Sequence, residues 1–334
     1  MKSLREYNTF GIEAQAGNIC NISSVEELRE LVKSGAFARS GPLILGGGSN
    51  ILFTGNYAGT VYRAGFKESR IAGSSGNEVC IECDAGLEWD RFVEFCVSNN
   101  YGGIENLSYI PGSVGASPIQ NIGAYGAEIC SNIEQVNAVD LESGEMLSFS
   151  KSECLFAYRS SIFKYQLKGK VFISSVVFSL TTREHKFNTS YGQVSERLGP
   201  GAEINLRNIR DAIISIRKEK LPEPSEIGNA GSFFKNPLLS EEDFSRLQKE
   251  YEDLPFFADG KGYIKIPAAW LIEQCKWKGY RQGDAGVHKN QALVLVNYGS
   301  ATGLEILQLS EQIIDSVYSK FGIMLEREVN VIPW

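Results

Sequence analysis

The sequence lacks the features that would direct it to nucleic acid or to a membrane. It has no excess of positive charge: 33 Lys and Arg stand against 40 Asp and Glu, a formal net charge of −7. That balance favours solubility and offers no overall field to a polyanion, so an anionic ligand must be held by local groups. The longest uncharged stretch, residues 106–127, is filled with Gly, Pro, Asn and Ser, a composition that does not make a spanning helix. The N-terminal MKSLREYNTFGIEAQ contains no apolar h-region, so no secretory signal is expected and a cytoplasmic location is. Histidine is scarce, with only His185 and His288.

Cysteines are odd in number and scattered: Cys20, Cys80, Cys83, Cys96, Cys130, Cys154 and Cys275. In a chain without an export signal this pattern reads as reduced thiols. The lone C-x-x-C, CIEC (80–83), has no second pair at zinc spacing. Its surroundings, EVCIECDAG, alternate like a strand and would send the two thiols to opposite faces, so no metal site is expected.

What remains is an ordinary globular composition, 43% hydrophobic and 22% charged, over 334 residues. That length predicts two or three domains. SVEELRELVKSG (24–35) places Val and Leu at helical spacing behind a Ser cap and predicts a helix. PLILGGGSNILF (42–53) reads as a strand, a glycine turn and a return strand. GTVYRAGF and EVCIECDAG read as further strands, and EWDRFVEFCVSNN (88–100) as an amphipathic helix. IEQVNAVDL, EMLSFS and KVFISSVVFSL are alternating runs separated by turns. NLRNIRDAIISIRKEKLP then predicts a helix ended by Pro222, and KLPEPSEIG a linker into a new unit. There, SEEDFSRLQKEYEDL and TGLEILQLSEQIIDSVYSKFG read as helices, with the strand ALVLVNY between them.

Two glycine segments stand out. GGGSN (46–50) lies between apolar runs, and its glycines allow backbone N–H groups to approach an anion; an ordinary hairpin is the alternative. It is neither a P-loop nor a G-x-G-x-x-G opening a helix. YIPGSVGASPIQNIGAYG (109–126) carries four glycines, two prolines and no charge. A loop of that length is more often functional than idle, and a diphosphate would meet no carboxylate there; a buried crossover is the alternative. In GNAGSFFKNP (228–237), one hydroxyl, Ser232, sits between a glycine hinge and two phenylalanines. A local turn or a placed catalytic hydroxyl both fit.

ILGGGSNIL together with IPGSVGASPIQNIGAYGAE resembles the FAD-binding segments of the UDP-N-acetylenolpyruvoylglucosamine reductase family. The similarity continues in order through YRSSIFK (158–164), GNAGSFFKNP, AAWLIEQC (268–275), AGVHKNQALVLVN (285–297) and LEREV (325–329). The resemblance implies an α+β chain: an FAD-binding fold of the vanillyl-alcohol-oxidase/PCMH type in two α+β subdomains, plus a C-terminal α+β substrate domain. The divisions it implies are 1–66 and 67–219 for the flavin, with a C-terminal strand at 321–334 returning to the first, and 220–320 for the substrate. It further implies non-covalent FAD, NADPH as co-substrate, and a monomer acting on UDP-GlcNAc-enolpyruvate in peptidoglycan precursor synthesis.

The family's site residues carry over by motif. Gly46, Gly47, Gly48, Ser49 and Asn50 match one flavin-holding segment. Pro111, Gly112, Ser113, Gly115, Ala116, Ile119 and Asn121 match the second, which continues through Gly123, Ala124, Tyr125 and Gly126. Ser232 matches the family's proton donor, Arg159 the arginine that pairs with the substrate carboxylate, and Glu328 the glutamate acting with it. A guanidinium fork suits a carboxylate that gathers charge. Lys220, Asn236 and Gln291 match positions facing the UDP-sugar, and Tyr191 in TSYGQV matches the loop tyrosine that caps the diphosphate in one subtype. Strand alternation in LEREV would put Glu326 and Glu328 on one face. Two rival classes are an oxidase on the same fold and a UDP-sugar-binding protein without turnover. A histidine-tethered flavin is disfavoured because neither histidine lies in a glycine segment.

Overall fold

The computed structural model describes residues 1–38, 42–191, 193–258 and 262–332. The middle glycine of TSYGQV, Gly192, and the last two residues of the expected C-terminal strand, Pro333 and Trp334, lie outside the described residues. The chain divides into two compact units. The first is Met1–Lys2, Ala16–Gly48 and Ala58–Glu219; the second is Ser3–Gln15, Ser49–Tyr57 and Lys220–Trp334.

The first unit is built on two sheets. Strands Gln15–Ile22, Tyr57–Ala64 and Leu43–Ile44 lie side by side in that order, the last two parallel, with Leu43 opposite Val61. A five-stranded antiparallel sheet runs Met146–Ser150, Ile133–Asp140, Val171–Thr181, Glu78–Asp84, Ser69–Ser75. Helix Trp89–Ser98 buries Trp89, Phe92, Val93, Cys96 and Val97, a stripe at i, i+3, i+4, i+7 and i+8. That stripe joins a core containing Phe178 from the central strand. Phe92 and Phe178 rings are 4.9 Å apart and Trp89 meets both edge-on. Helix Val25–Lys33 is capped by Ser24, whose hydroxyl accepts the Glu27 N–H. Its Leu28 and Val32 pack with Tyr62, Val139 and Phe172 in a second core.

All seven cysteines are free. Cys80 and Cys83 pair across the ladder with Ser179 and Val176; Cys83 is fully buried while Cys80 is partly exposed. Burial pushes the thiols of Cys83 and Cys96 far up and that of Cys154 up to about 12, so these are neutral packing groups. Among the described residues no cluster of His, Cys, Asp and Glu is arranged to hold a metal, and no helix is long and apolar enough to cross a membrane.

In the second unit, Gly228–Ser232, Val294–Asn297, Ala285–Val287 and Arg281–Gln282 form an antiparallel sheet in that order. Helix Gly303–Phe321 starts with a capping box, Thr302 with Glu305, and ends at left-handed Gly322. It buries Ile306, Leu309, Ile313 and Val317. A smaller sheet joins Leu238–Leu239, Ile264–Lys265 and Phe257–Ala258. The expected return strand after GGGSN exists, as Ile51–Phe53, but it does not fold back on Leu43–Ile44. It pairs in parallel with Asn330–Ile332 instead. Its three residues are all buried, and a two-sided apolar strand suits interior parallel pairing better than a hairpin with one wet face.

Gly303 opens its helix against the carbonyl of Phe53; an added Cβ would lie 1.7 Å from that oxygen. Gly303→Ala should therefore lower stability by about 1–3 kcal/mol or more, read as a fall in the urea unfolding midpoint. An unchanged midpoint would mean that the helix start shifts at no cost.

Candidate functional site

In the first unit the two glycine segments cross backbone to backbone. The turn 46–48 follows strand Leu43–Ile44, and Gly48 is left-handed, with φ 66°. An added Cβ at Gly46 would lie 2.7 Å from Ser113 Oγ, and one at Gly47 would lie 2.7 Å from Gly112 Cα. Gly115 is pressed as closely on Ala85, at 2.5 Å. Gly112 itself has φ 135°. A side chain at Gly46 or Gly47 is therefore excluded by space, and one at Gly112 by conformation as well.

The long segment is irregular but firmly tied. Trp89 N–H donates to Gly112 O at 3.0 Å, Val114 N–H to Leu87 O at 2.8 Å and Gly115 N–H to Ala85 O at 3.0 Å. Asn121 is fully buried and left-handed, with φ 47°. Its Nδ2 donates to Glu128 Oε2 and Ala157 O, and its Oδ1 accepts the Cys130 N–H. Ser161 Oγ donates to Ile119 O at 2.6 Å. Buried Asn106 donates to the carbonyls of Tyr125 and Asn188. Gly126 leaves room for Tyr191, whose Cβ would be 3.0 Å from a Cβ added there; Tyr191 is exposed.

Arg159 sits in a tight turn closed by reciprocal bonds between Ala157 and Ser160, and its own φ is 52°. Its Nη2 donates to Gly123 O at 2.9 Å, and its guanidinium stands 5.5 Å from the Tyr158 ring centre. The arginine is thereby placed against the C-terminal part of the glycine segment. A left-handed backbone at a non-glycine residue is costly and marks a position held by its surroundings.

In the second unit, Ser232 ends strand Gly228–Ser232, opposite Val294. The strand register slips between Asn229 and Ser232, where left-handed Gly231 (φ 68°) donates its N–H to Asn229 Oδ1 at 2.9 Å. This bulge re-aims the serine. Phe233 and Phe234 behind it are 0% and 1% exposed, their rings edge to face. Phe233 O accepts the Glu328 N–H, and Lys235 N–H donates to Glu326 O, both at 2.8 Å. Ser232 and Glu328 thus ride on two segments bonded to each other. The expected alternation in LEREV is not realised as a strand: Arg327 makes an isolated bridge with Phe234, and exposed Glu326 ion-pairs with buried Lys235. Asn50 Nδ2 donates to Glu328 O at 3.2 Å, so the second half of GGGSN serves this unit.

The remaining residues of the expected substrate set also fall here. Lys220 ends helix Leu206–Lys220 and is partly exposed. Asn236 Oδ1 accepts the Ala268 N–H at 2.9 Å, capping helix Ala268–Gln274. Gln291 makes the turn before Val294, its carbonyl accepting the Val294 N–H at 3.1 Å. Near it, His288 Nδ1 is buried and finds no hydrogen-bond partner among the described residues.

Comparison with known proteins decides the family. Residues 18–150 match an FAD binding domain, and residues 223–332 match the C-terminal domain of UDP-N-acetylenolpyruvoylglucosamine reductase. The reductase of that name from Flavobacterium johnsoniae is 47% identical over 99% of this chain and 98% of its own length. The chain belongs to the UDP-N-acetylenolpyruvoylglucosamine reductase family. The reductases of Bacteroides fragilis and Pseudomonas putida are 44% and 41% identical at similar coverage. The crystal structure of the Thermus caldophilus reductase superposes with a TM-score of 0.67, at 22% identity, over 99% of this chain and 97% of that one. The fold is accordingly that family's α+β FAD-binding fold with its C-terminal domain.

FAD, the family's cofactor, fits the residues present. The matched FAD domain contains both glycine segments, and they cross so closely that a Cβ at Gly46 or Gly47 would clash, so the turn carries bare peptide groups of the kind that bind a diphosphate. The motifs located Gly46, Gly47, Gly112, Ser113, Asn121, Gly123 and Arg159 in one unit, but not the groups that brace them. Asp90, Asn106 and Arg217 hold the loop from helices and turns distant in sequence, and no short motif contains them.

Gly47→Ala should push the segments apart and weaken FAD binding about 10- to 100-fold, measured by flavin fluorescence on titration; affinity within twofold of the parent would remove this crossing from the flavin site. Burial, with Lys289 nearby, lowers the His288 pKa from its usual value of about 6.5. A neutral form favoured by folding gives stability that is present above about pH 6.5 and lost as pH falls below it. The urea midpoint should drop more between about pH 7 and 5.5 for the parent than for His288→Asn; equal slopes would dissociate this ring from the pH response.

Proposed function

We propose that the chain catalyses its family's reaction: NADPH-dependent reduction of UDP-N-acetylglucosamine enolpyruvate to UDP-N-acetylmuramate, a step of peptidoglycan precursor synthesis. The observation that carries this reading is the near-complete, 47% identical match to a reductase of that name. When bound, FAD supplies a hydride carrier between NADPH and the methylene carbon of the vinyl ether. Residues 1–66 and 67–219 hold it in this reading, residues 220–320 bind the substrate, and 321–334 return to the first subdomain. The enzyme acts as a monomer in the cytoplasm.

The chain's own residues supply binding, orientation and one proton. Ser232 gives its hydroxyl proton to the carbon beside the carboxylate. A serine hydroxyl is a weak acid, so its effect depends on tight placement next to a strongly basic centre. The glycine bulge fixed by Asn229, with the buried Phe233 and Phe234 behind it, supports such placement. Arg159 holds the substrate carboxylate with its fork, and Glu328 acts with it as charge builds there. Lys220, Asn236 and Gln291 contact the UDP-sugar. Tyr191 caps the diphosphate, which puts the chain in the subtype with that loop; its exposure leaves it available for this.

Anaerobic stopped-flow absorbance tests the reaction. NADPH should bleach the flavin band and the enolpyruvyl sugar should then restore it. Restoration by oxygen alone would make the chain an oxidase, and a protein that takes up no flavin would be left as a binding module. Ser232→Ala should leave bleaching by NADPH intact and slow restoration by about 10²- to 10⁴-fold. Equal slowing of both steps would remove Ser232 as proton donor.

A further inference from the structure

Arg217 has no part in the roles above, yet it is bound into the flavin segment. Helix Leu206–Lys220 carries Arg210 and Arg217 seven residues apart, two turns along one face. Arg210 is 5% exposed and clasps Asp90 through both terminal nitrogens, at 2.7 and 2.9 Å. Asp90 Oδ1 accepts the N–H of Tyr109. Arg217 Nε donates to the carbonyl of the same Tyr109 at 3.0 Å, and its charge lies near enough to the Tyr125 side chain to favour that side chain's ionised form. Tyr109 and Tyr125 stand at the two ends of the glycine segment, and both are left-handed, with φ 61° and 49°. An L-residue keeps that conformation only where neighbours over-determine it.

We propose that Arg217 is a positioning residue for the flavin: it holds Tyr109 and Tyr125 left-handed and so fixes the shape of the 109–126 segment before the cofactor binds. The residue type suits the task. A guanidinium presents donors in divergent directions from one rigid plane, whereas an ammonium is a point charge on a flexible stem. Burial opposes the Arg217 charge, so its placement there is costly unless its acceptors are fixed. Arg210 contributes by holding Asp90, which secures the other side of the Tyr109 backbone. A ligand's apparent affinity falls with the fraction of protein already in the binding shape; if losing Arg217 leaves a tenth to a hundredth of the segment in register, Kd rises about 10- to 100-fold.

The inference rests on the flavin reading, and release of FAD from the full-length holoenzyme on dilution, followed by flavin fluorescence, tests the two separately. Arg217→Met should raise the FAD dissociation constant about 10- to 100-fold, with Arg217→Lys between it and the parent because one acceptor is regained. The flavin absorption envelope should move in the same order, which a general loss of stability would not produce. A dissociation constant for Arg217→Met within twofold of the parent overturns the proposal. Should that variant fail to fold, Tyr125→Phe decides, since it removes only the hydroxyl: a several-fold rise supports the proposal and an unchanged constant overturns it. A parent protein that holds no FAD overturns the flavin reading itself.

Discussion

The first unit depends on one close approach, that of Gly47 to the backbone of Gly112, with Gly46 beside it against the Ser113 side chain. Nothing attractive in those residues brings the two segments together, since they have almost no side chains. They meet because everything around them is fixed. Strand Leu43–Ile44 aims one segment, and the Trp89, Leu87 and Ala85 backbones take hydrogen bonds from or give them to the other. A bare crossing of this kind presents peptide groups instead of side chains, and a rigid peptide surface can recognise a diphosphate without reorganising when it arrives.

In the proposed reading the second unit meets a different demand, since one small hydroxyl must be presented rather than a large group enclosed. A regular strand would have left Ser232 to the two-residue alternation of the ladder. The left-handed Gly231 and the slip in register break that alternation at the right residue. The backbone bond from the Glu328 N–H to the Phe233 carbonyl then couples the serine to the glutamate's segment. Weakly acidic chemistry asks for this rigidity, because a poor acid gains from position what it lacks in driving force.

Local signals are legible in the sequence, and those that depend on distant partners are not. Helices Val25–Lys33, Trp89–Ser98 and Gly303–Phe321 announce themselves through apolar spacing, the first and last through caps as well, and these are short-range properties. Strand Ser69–Ser75 is exposed along its whole length and so carries no hydrophobic alternation to detect. The run after GGGSN was recognisable as a strand, but its partner, Asn330–Ile332, lies almost the whole chain away. The same division holds at the site. Glycine segments and the Ser232 hinge are contiguous and legible, whereas Arg217 reaches a carbonyl 108 residues distant. The likeness of LEREV to a strand was a periodicity without a ladder, since only Arg327 forms a bridge.

The pairing of Ile51–Phe53 with Asn330–Ile332 sets an order on the protein's birth. The strands of the first unit's sheets all lie before residue 182 and can assemble once residue 219 has left the ribosome. Residues 3–15 and 49–57 emerge among the earliest, yet they belong with residues 220–334. Of these, the apolar run Ile51–Phe53 waits for its parallel strand for almost the entire time of synthesis. At about 5–20 residues per second the delay between residue 53 and its strand partner is on the order of tens of seconds. Loop closure over such a separation is slow for entropic reasons as well. The nascent chain therefore passes through a long stage in which its flavin-type unit is formed while Ile51, Leu52 and Phe53 still lack their pairing strand, and that stage is where a chaperone has most to shield.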